Sequence, residues 1–335
     1  MRHSRLVRFL LILSVFGLVV AACGSDDDSD GASDETSGDE TSADEASADE
    51  GGTDGSADGD DQAAAGGFEG TLVIGAIPDQ DPEILVRNYD LLADYLATEL
   101  GVDVEFRPVT EYDAAVTAFK VGDLQLVWFG GLTGVQARLE VDGAEAIAQR
   151  DIDEQFTSVF IAGTDTGVEP FDDVSGLSAV AGHSLTFGSE SSTSGRLMPQ
   201  SFLADAGVTL DDLEGEPGFS GSHDSTIALV EAGTYEVGAL NSQVWEARVE
   251  EGAVDTDKVQ VVWETTEYYD YHWVARPELA DIEQAIIDAL VGLDPADPDQ
   301  AEILAFFGAE TFIVTESGNY AQIEAVGRES GLITE

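Results

Sequence analysis

The amino-acid sequence predicts an α/β protein whose folded part is divided into two lobes. Three observations carry that expectation. Strand-like and helix-like segments alternate from residue 72 onward in two successive series. A Gly-, Asp- and Pro-rich stretch at 163–176 interrupts the alternation once. The chain has 335 residues, 43% of them apolar, which is enough to fill two cores of ordinary size.

The charge is uneven along the chain. Overall there are 68 Asp and Glu against 13 Lys and Arg, a formal net charge of −55. Residues 1–22 carry Arg2, Arg5 and Arg8, then an apolar run at 9–20 and small residues, the pattern of an export signal too short to span a bilayer as a helix. Val20-Ala21-Ala22-Cys23 resembles the bacterial lipoprotein pattern, in which Cys23 is acylated and tethers the chain to the outer face of the cytoplasmic membrane. An ordinary cleaved signal with an incidental cysteine is the alternative. Residues 24–67 hold 16 acidic residues, no basic ones and no aromatics, so 23–67 reads as an extended acidic tether. It lacks the spacing of a calcium loop, and no metal or cofactor is expected anywhere in the chain.

The remaining 52 acidic residues face ten basic ones, a net charge of −42 on the folded body. So acidic a surface excludes nucleic acid as a partner, because neutralising phosphates needs basic side chains. It fits a salt-rich habitat, and melting at low and high sodium chloride tests this: the midpoint is expected to fall in low salt. The lone cysteine excludes an internal disulfide framework.

The first series runs strand 72–77, helix 83–100 stopped by Gly101, strand 102–109, helix 112–121 ended by Gly122, strand 124–129 and helix 132–141. Further strands are expected at 144–150 and 156–162. The order β-α-β-α-β-α implies a mostly parallel sheet covered by helices. The second series runs strand 184–188, a helix ending at Gly207, strand 216–219, helix 224–232, strand 235–240, helix 244–251 and strand 259–264. A strand at 271–276 and helical patterns at 278–293, 299–307 and 320–328 close the chain. Open parallel sheets bind ligands beyond the carboxyl ends of their strands, so a ligand belongs in the cleft where those ends face.

Three stretches carry chemistry. Gly188-Ser-Glu-Ser-Ser-Thr-Ser-Gly195 lies between a strand and a helix, where backbone N–H groups, hydroxyls and a helix dipole make an anion site; a Ser/Thr-rich cap with only a local role is the alternative. Pro199 requires that the helix begin after Ser194 or that its first turn be irregular. In Phe219-Ser-Gly-Ser-His-Asp-Ser225, the adjacent Ser, His and Asp point in different directions and no Gly-x-Ser-x-Gly elbow occurs, so no hydrolase or other enzyme is expected. His223 reads as a hydrogen-bond donor or helix cap. The aromatic stretch 263–273 alternates between faces, so some rings line a cleft and others a core. The segment 127–133 ends its strand in Trp128-Phe129-Gly130-Gly131, where glycine permits close backbone approach.

Ser192-Thr193-Ser194-Gly195, the Gly-x-His-Asp turn, Trp128-Phe129-Gly130-Gly131, the segment 238–245 and the block 268–276 occur in this order in substrate-binding proteins of phosphate, phosphite and phosphonate ABC transporters, and the chain resembles that PhnD-like family across 71–332. Ala76-Ile77-Pro78-Asp79 and the tyrosine block are most similar to a branch described as selenate-binding. The resemblance implies a type 2 periplasmic-binding fold of two α/β lobes joined by two crossing strands, with 68–165 and 268–335 forming one lobe and 166–267 the other. It implies a monomer that captures a small oxyanion and delivers it to an ABC permease, outside the cytoplasm. A selenate or sulfonate ligand, or a sensing role toward a signalling partner, are the alternatives.

The same resemblance places the oxyanion on Ser192, Thr193 and Ser194, with His223 nearby and Tyr112 lining the cleft from the first lobe. Phe129 stands where phosphonate binders often carry a tyrosine. Gln243 replaces a glutamate that aminophosphonate binders direct at an ammonium, and Asp270 matches their second carboxylate. A neutral amide in place of one acid favours a small oxyanion over a long aminoalkylphosphonate. Hydrogen bonds to a charged group are worth about 1.5–3 kcal/mol each and a micromolar complex needs about 8 kcal/mol, so roughly five or six neutral donors suffice without a lysine or arginine. The surface charge is screened beyond a Debye length of about 8 Å.

Overall fold

The structure is a computed structural model and describes residues 68–334. The expected export signal at 1–22, Cys23 and the acidic tether at 23–67 lie outside the described residues.

The first series folds as β1 (Thr71–Ala76), α1 (Pro82–Leu100), β2 (Asp103–Phe106), α2 (Tyr112–Val121), β3 (Leu126–Phe129), α3 (Gly131–Glu140) and β4 (Glu145–Arg150). Local chemistry explains the boundaries. Asp81 caps α1 by accepting from the N–H groups of Glu83 and Ile84, Pro82 occupies its first turn, and Gly101 ends it in the left-handed conformation at φ 66°. The chain then enters β5 (Ser158–Gly163), β6 (Leu185–Phe187), α4 (Met198–Asp205), β7 (Gly218–Phe219), α5 (His223–Glu231), β8 (Val237–Asn241), α6 (Ser242–Glu250) and β9 (Val259–Glu264). It returns through β10 (His272–Ala275), α7 (Glu283–Val291), α8 (Pro298–Phe307), β11 (Phe312–Val314) and α9 (Ala321–Glu329).

Two sheets result, ordered β11-β4-β10-β3-β1-β2 and β7-β6-β8-β5-β9. They are mixed, not mostly parallel as the alternation implied. In the first sheet β1 pairs in parallel with β2 and β3, but β10 lies antiparallel between β3 and β4, and β11 is antiparallel to β4. In the second, β6 pairs in parallel with β7 and β8, while β5 lies antiparallel between β8 and β9. The cause is the direction of entry. Strands of β-α-β units point their carboxyl ends toward the cleft. β5 and β10 each arrive from the other lobe, so they start at the cleft and run away from it.

The same pairing moves a boundary. β5 falls inside the stretch 68–165 expected in the first lobe, yet it is a central strand of the second sheet. The crossovers are therefore 151–157 and 265–271, which meet in an antiparallel bridge between Phe156 and Tyr268 whose two N–H···O bonds are 3.0 Å long. β11, absent from the expected elements, is a short edge strand of β-branched and aromatic residues.

The first core gathers Leu72, Ile74, Leu92, Phe119, Leu126, Trp273 and Phe307. Side chains of β5 alternate into two further clusters, Phe160 and Ala162 on one face, Val159 and Ile161 on the other, as expected of a strand covered on both sides.

Candidate functional site

Loops at the carboxyl ends of both sheets meet in the cleft. After β6 the chain forms a π-helical turn, Thr193–Leu197, that runs directly into α4 with Pro199 in the first α-turn, so the irregularity that Pro199 required is a widened turn. Ser192 caps it, its Oγ accepting from the Gly195 N–H at 2.9 Å. The first N–H groups of a helical turn have no partner within it, which leaves those of Thr193 and Ser194 available to an anion. Gly195 is required by space: a Cβ there would stand 2.9 Å from Ser192 Oγ and 3.2 Å from Gly188 Cα. Ser192, Thr193 and Ser194 are all buried.

The first lobe closes over this turn. The Leu132 N–H at the start of α3 donates to Thr193 Oγ1 at 2.9 Å, and Ser191 Oγ hydrogen-bonds Asp113. Gly130 lies beside the contact, where a Cβ would come within 3.2 Å of Thr193 Oγ1 and 3.3 Å of Asp270 Oδ1. Tyr112, at the start of α2, is buried, and its hydroxyl faces Ser192 with no other hydrogen-bond partner in the protein. Along the rim, the Asp81 N–H donates to Asp224, and Arg248, paired with Asp224 at 2.6 Å, reaches Gln80.

The crossovers supply the floor. Asp270 Oδ1 accepts from the Gly131 N–H at 2.8 Å, while its Oδ2 is buried without a partner. Burial pushes this carboxyl up to about 7 against that hydrogen bond. Ser158 Oγ donates to the Ser194 carbonyl at 2.7 Å and meets the Tyr268 hydroxyl at 2.5 Å, so a crossover tyrosine holds the 192–194 turn through one serine.

His223 is fully buried at the start of α5. Its Nδ1 accepts from the Asn241 N–H at 3.4 Å, which leaves Nε2–H to donate to the Tyr271 hydroxyl at 3.3 Å. Burial holds its pKa down to about 4, so it is a neutral donor at physiological pH. Its backbone N–H bonds the carbonyl of Asp79 across the cleft at 3.1 Å. Burial raises Asp79 to about 6, against the hydrogen bond from Tyr271 and the charge of Arg150.

Ser192, Thr193, Ser194, Tyr112 and Asp270 thus converge on one buried region, while His223 touches Asp79, Asn241 and Tyr271. Gln243 lies apart, on a neighbouring pocket of about 100 Å³ that also includes Asp79, Trp128, Arg150, Tyr271 and Phe307. Phe129 packs edge-on to Phe119 at 5.7 Å inside the first core. Sequence reasoning did not single out Arg150, Asp153 or Tyr271, and met Asp79 only within the resemblance. Arg150 had a usable signal, since a basic residue at the carboxyl end of a predicted strand, in a chain with so few, belongs at a cleft.

Asp270 and Asp79 also set a pH dependence. Both folded values lie above the ordinary carboxyl range, so both groups favour the folded state below about pH 4 and lose that contribution as pH rises through about 6 to 7. The same deprotonation places negative charge beside any bound anion. Affinity for an anion is therefore expected to fall between pH 6 and 8.5, by at most about tenfold per pH unit for each proton involved. Calorimetric titration across that range checks it. A slope that is unchanged in Asp270→Asn would remove Asp270 from the site.

Two α/β lobes joined by two crossovers, with the strand ends of both facing a buried polar cleft, define a hinged ligand-binding protein. Among the described residues no three metal-ligating side chains cluster. The chain belongs to the family described as "ABC transporter, phosphonate, periplasmic substrate-binding protein", whose model matches residues 74–320. It is 44% identical over 264 residues to a protein of Prochlorococcus marinus (strain MIT 9301) named "Probable ABC transporter phosphite binding protein PhnD1", covering 77% of this chain and 89% of that protein. The structure of PhnD1 from that organism in complex with methylphosphonate matches with a TM-score of 0.77 at 43% identity, over 78% of this chain and 99% of the other. A binding-protein component of an ABC phosphonate transporter from Pseudomonas aeruginosa shares the fold, with a TM-score of 0.69 at 16% identity over 78% and 86% of the two chains. Family members of this kind are extracytoplasmic substrate-binding components of importers.

Proposed function

We propose that the protein captures a small phosphorus oxyanion, phosphite or a short phosphonate, by closing two lobes around it, and presents it to an ABC permease without chemical conversion. The observation that carries this reading is the buried Ser192-Thr193-Ser194 turn of one lobe, faced at Ser192 by the buried Tyr112 hydroxyl of the other. Neutral donors in a dry cleft hold an anion without a counter-cation of their own. Closure needs only a hinge, and the paired crossovers at Phe156 and Tyr268 are suited to absorb the rotation. The PhnD1 relatives, one named for phosphite and one holding methylphosphonate, support the ligand class.

In this reading Cys23 carries acyl chains and becomes the N-terminus when 1–22 is removed, and 23–67 spaces a monomeric body from the membrane. Globomycin-sensitive processing or metabolic labelling with a fatty-acid probe would detect the anchor. Isothermal titration with phosphite, methylphosphonate, phosphate and selenate tests the ligand. Phosphite or methylphosphonate is expected to bind most tightly; silence with all four overturns the class, and preference for selenate assigns the protein to the other branch.

A further inference from the structure

The aromatic stretch 263–273 contains a histidine that the ligand reading does not use. His272 is fully buried at the start of β10. On α3, Gly131, Gly134 and Arg138 follow at three- and four-residue spacing and so share one face of the helix. That face meets residues 270–272. The Gly131 N–H donates to Asp270 Oδ1 at 2.8 Å, Gly134 packs so close that any Cβ there would overlap His272 Nε2, and Arg138 Nη1 lies 2.6 Å from the same nitrogen.

The partners assign the ring's hydrogen. Nδ1 faces the Asp270 carbonyl at 3.0 Å, and a carbonyl only accepts, so Nδ1 carries the hydrogen. Nε2 then accepts from Arg138. Burial and the Arg138 charge both disfavour an imidazolium and hold the pKa well below the ordinary histidine range. Stacking on Tyr320 at 3.7 Å fixes the ring plane, and the Tyr320 hydroxyl is itself tied to Gln149 Oε1 at 2.9 Å. Asp270 is thereby held through its N–H by the Asp153 carbonyl, through its carbonyl by His272 and through Oδ1 by Gly131, while Oδ2 keeps no partner.

Resting on the oxyanion reading above, we infer that His272 is a positioning residue: as a neutral Nδ1–H donor locked by Arg138, it sets the direction in which Asp270 presents its carboxyl to a bound anion. Release of that carbonyl frees the 270–271 peptide to turn and carries the carboxyl off its aim.

Two substitutions separate the ring's two bonds. Glutamine places its amide where Nε2 lies and keeps an acceptor for Arg138, whereas asparagine places its amide where Nδ1 lies and keeps a donor for Asp270. By calorimetric titration with phosphite and methylphosphonate, His272→Gln is expected to lose about tenfold in affinity and His272→Asn to recover most of that loss. Thermal melting should rank them the other way, His272→Asn lower, because it strands the Arg138 guanidinium. In an Asp270→Asn background the further loss from His272→Gln is expected to shrink below about twofold, since no carboxylate remains to be aimed. Nitrogen-15 NMR of the wild type needs no variant to fold: the buried His272 is expected as the Nδ1–H tautomer and the buried His223 as the Nε2–H tautomer.

Undiminished affinity in His272→Gln, affinities that follow the melting order, the full loss kept in the Asp270→Asn background, or an Nε2–H or charged His272 would each overturn this role. Silence of the wild type toward both anions would instead remove the oxyanion reading, and the role of His272 with it.

Discussion

Replacing Ser192 and Thr193 together by alanine is expected to weaken phosphite or methylphosphonate binding by about two to four orders of magnitude. Each hydroxyl hydrogen bond to a charged ligand is worth about 1.5–3 kcal/mol, and each 1.4 kcal/mol is a factor of ten. The loss reaches beyond direct contacts. Ser192 Oγ accepts from the Gly195 N–H and so shapes the turn, and Thr193 Oγ1 receives the Leu132 N–H from the opposite lobe. Without Thr193 Oγ1 the closed arrangement loses one of its cross-cleft bonds and the Leu132 N–H loses its acceptor. Loss of the Ser192 cap costs about 1 kcal/mol of stability, so the double variant should still fold, and thermal melting verifies that before titration. Affinity equal to the wild type would place the anion elsewhere.

The second large effect concerns stability. Asp153→Ala is expected to destabilise the folded body by about 3–5 kcal/mol, because it strands the Arg150 guanidinium as an uncompensated buried charge. Burial alone would lower the Arg150 pKa, but the charge and hydrogen bonds of Asp153 hold it above its ordinary value, so the guanidinium stays ionised. The pair is bidentate and both side chains are almost wholly inaccessible, at 7% and 0%. Asp153 also receives the Tyr271 N–H at 3.3 Å, and its carbonyl receives the Asp270 N–H at 3.2 Å. Asp153 thus ties the first crossover to the second through its carboxylate and its backbone carbonyl. Urea unfolding measures the change. Arg150→Met/Asp153→Asn should recover part of the loss, since removing both charges leaves neither stranded; a double variant less stable than Asp153→Ala would contradict this account.

The elements that carry the candidate site were legible in the sequence. The Ser/Thr-rich turn announced itself because anion recognition by neutral donors needs consecutive N–H groups and hydroxyls at a strand-to-helix junction, a requirement met within eight residues. Gly130 and Pro199 signalled close approach and an irregular turn for equally local reasons. Gln243 was noticed as an amide, but its bond to Arg150 was not foreseeable, because the two residues stand 93 positions apart. Phe129 was read through a family position, whereas its ring packs against Phe119.

By itself, the sequence determined the alternation of elements, their caps and stops, the split of its charge into three segments and the Ser/Thr-rich turn between β6 and α4. All of these depend on residues within one or two helical turns of each other, where backbone preference and hydrophobic period act. Only the tertiary structure decided that β5 and β10 exchange lobes, that the sheets are mixed, and that Thr193 meets Leu132, Asp270 meets Gly131 and Arg150 meets Gln243. Those facts depend on where the chain re-enters a lobe and from which end. Strand period is the same in either direction, so no local pattern records it.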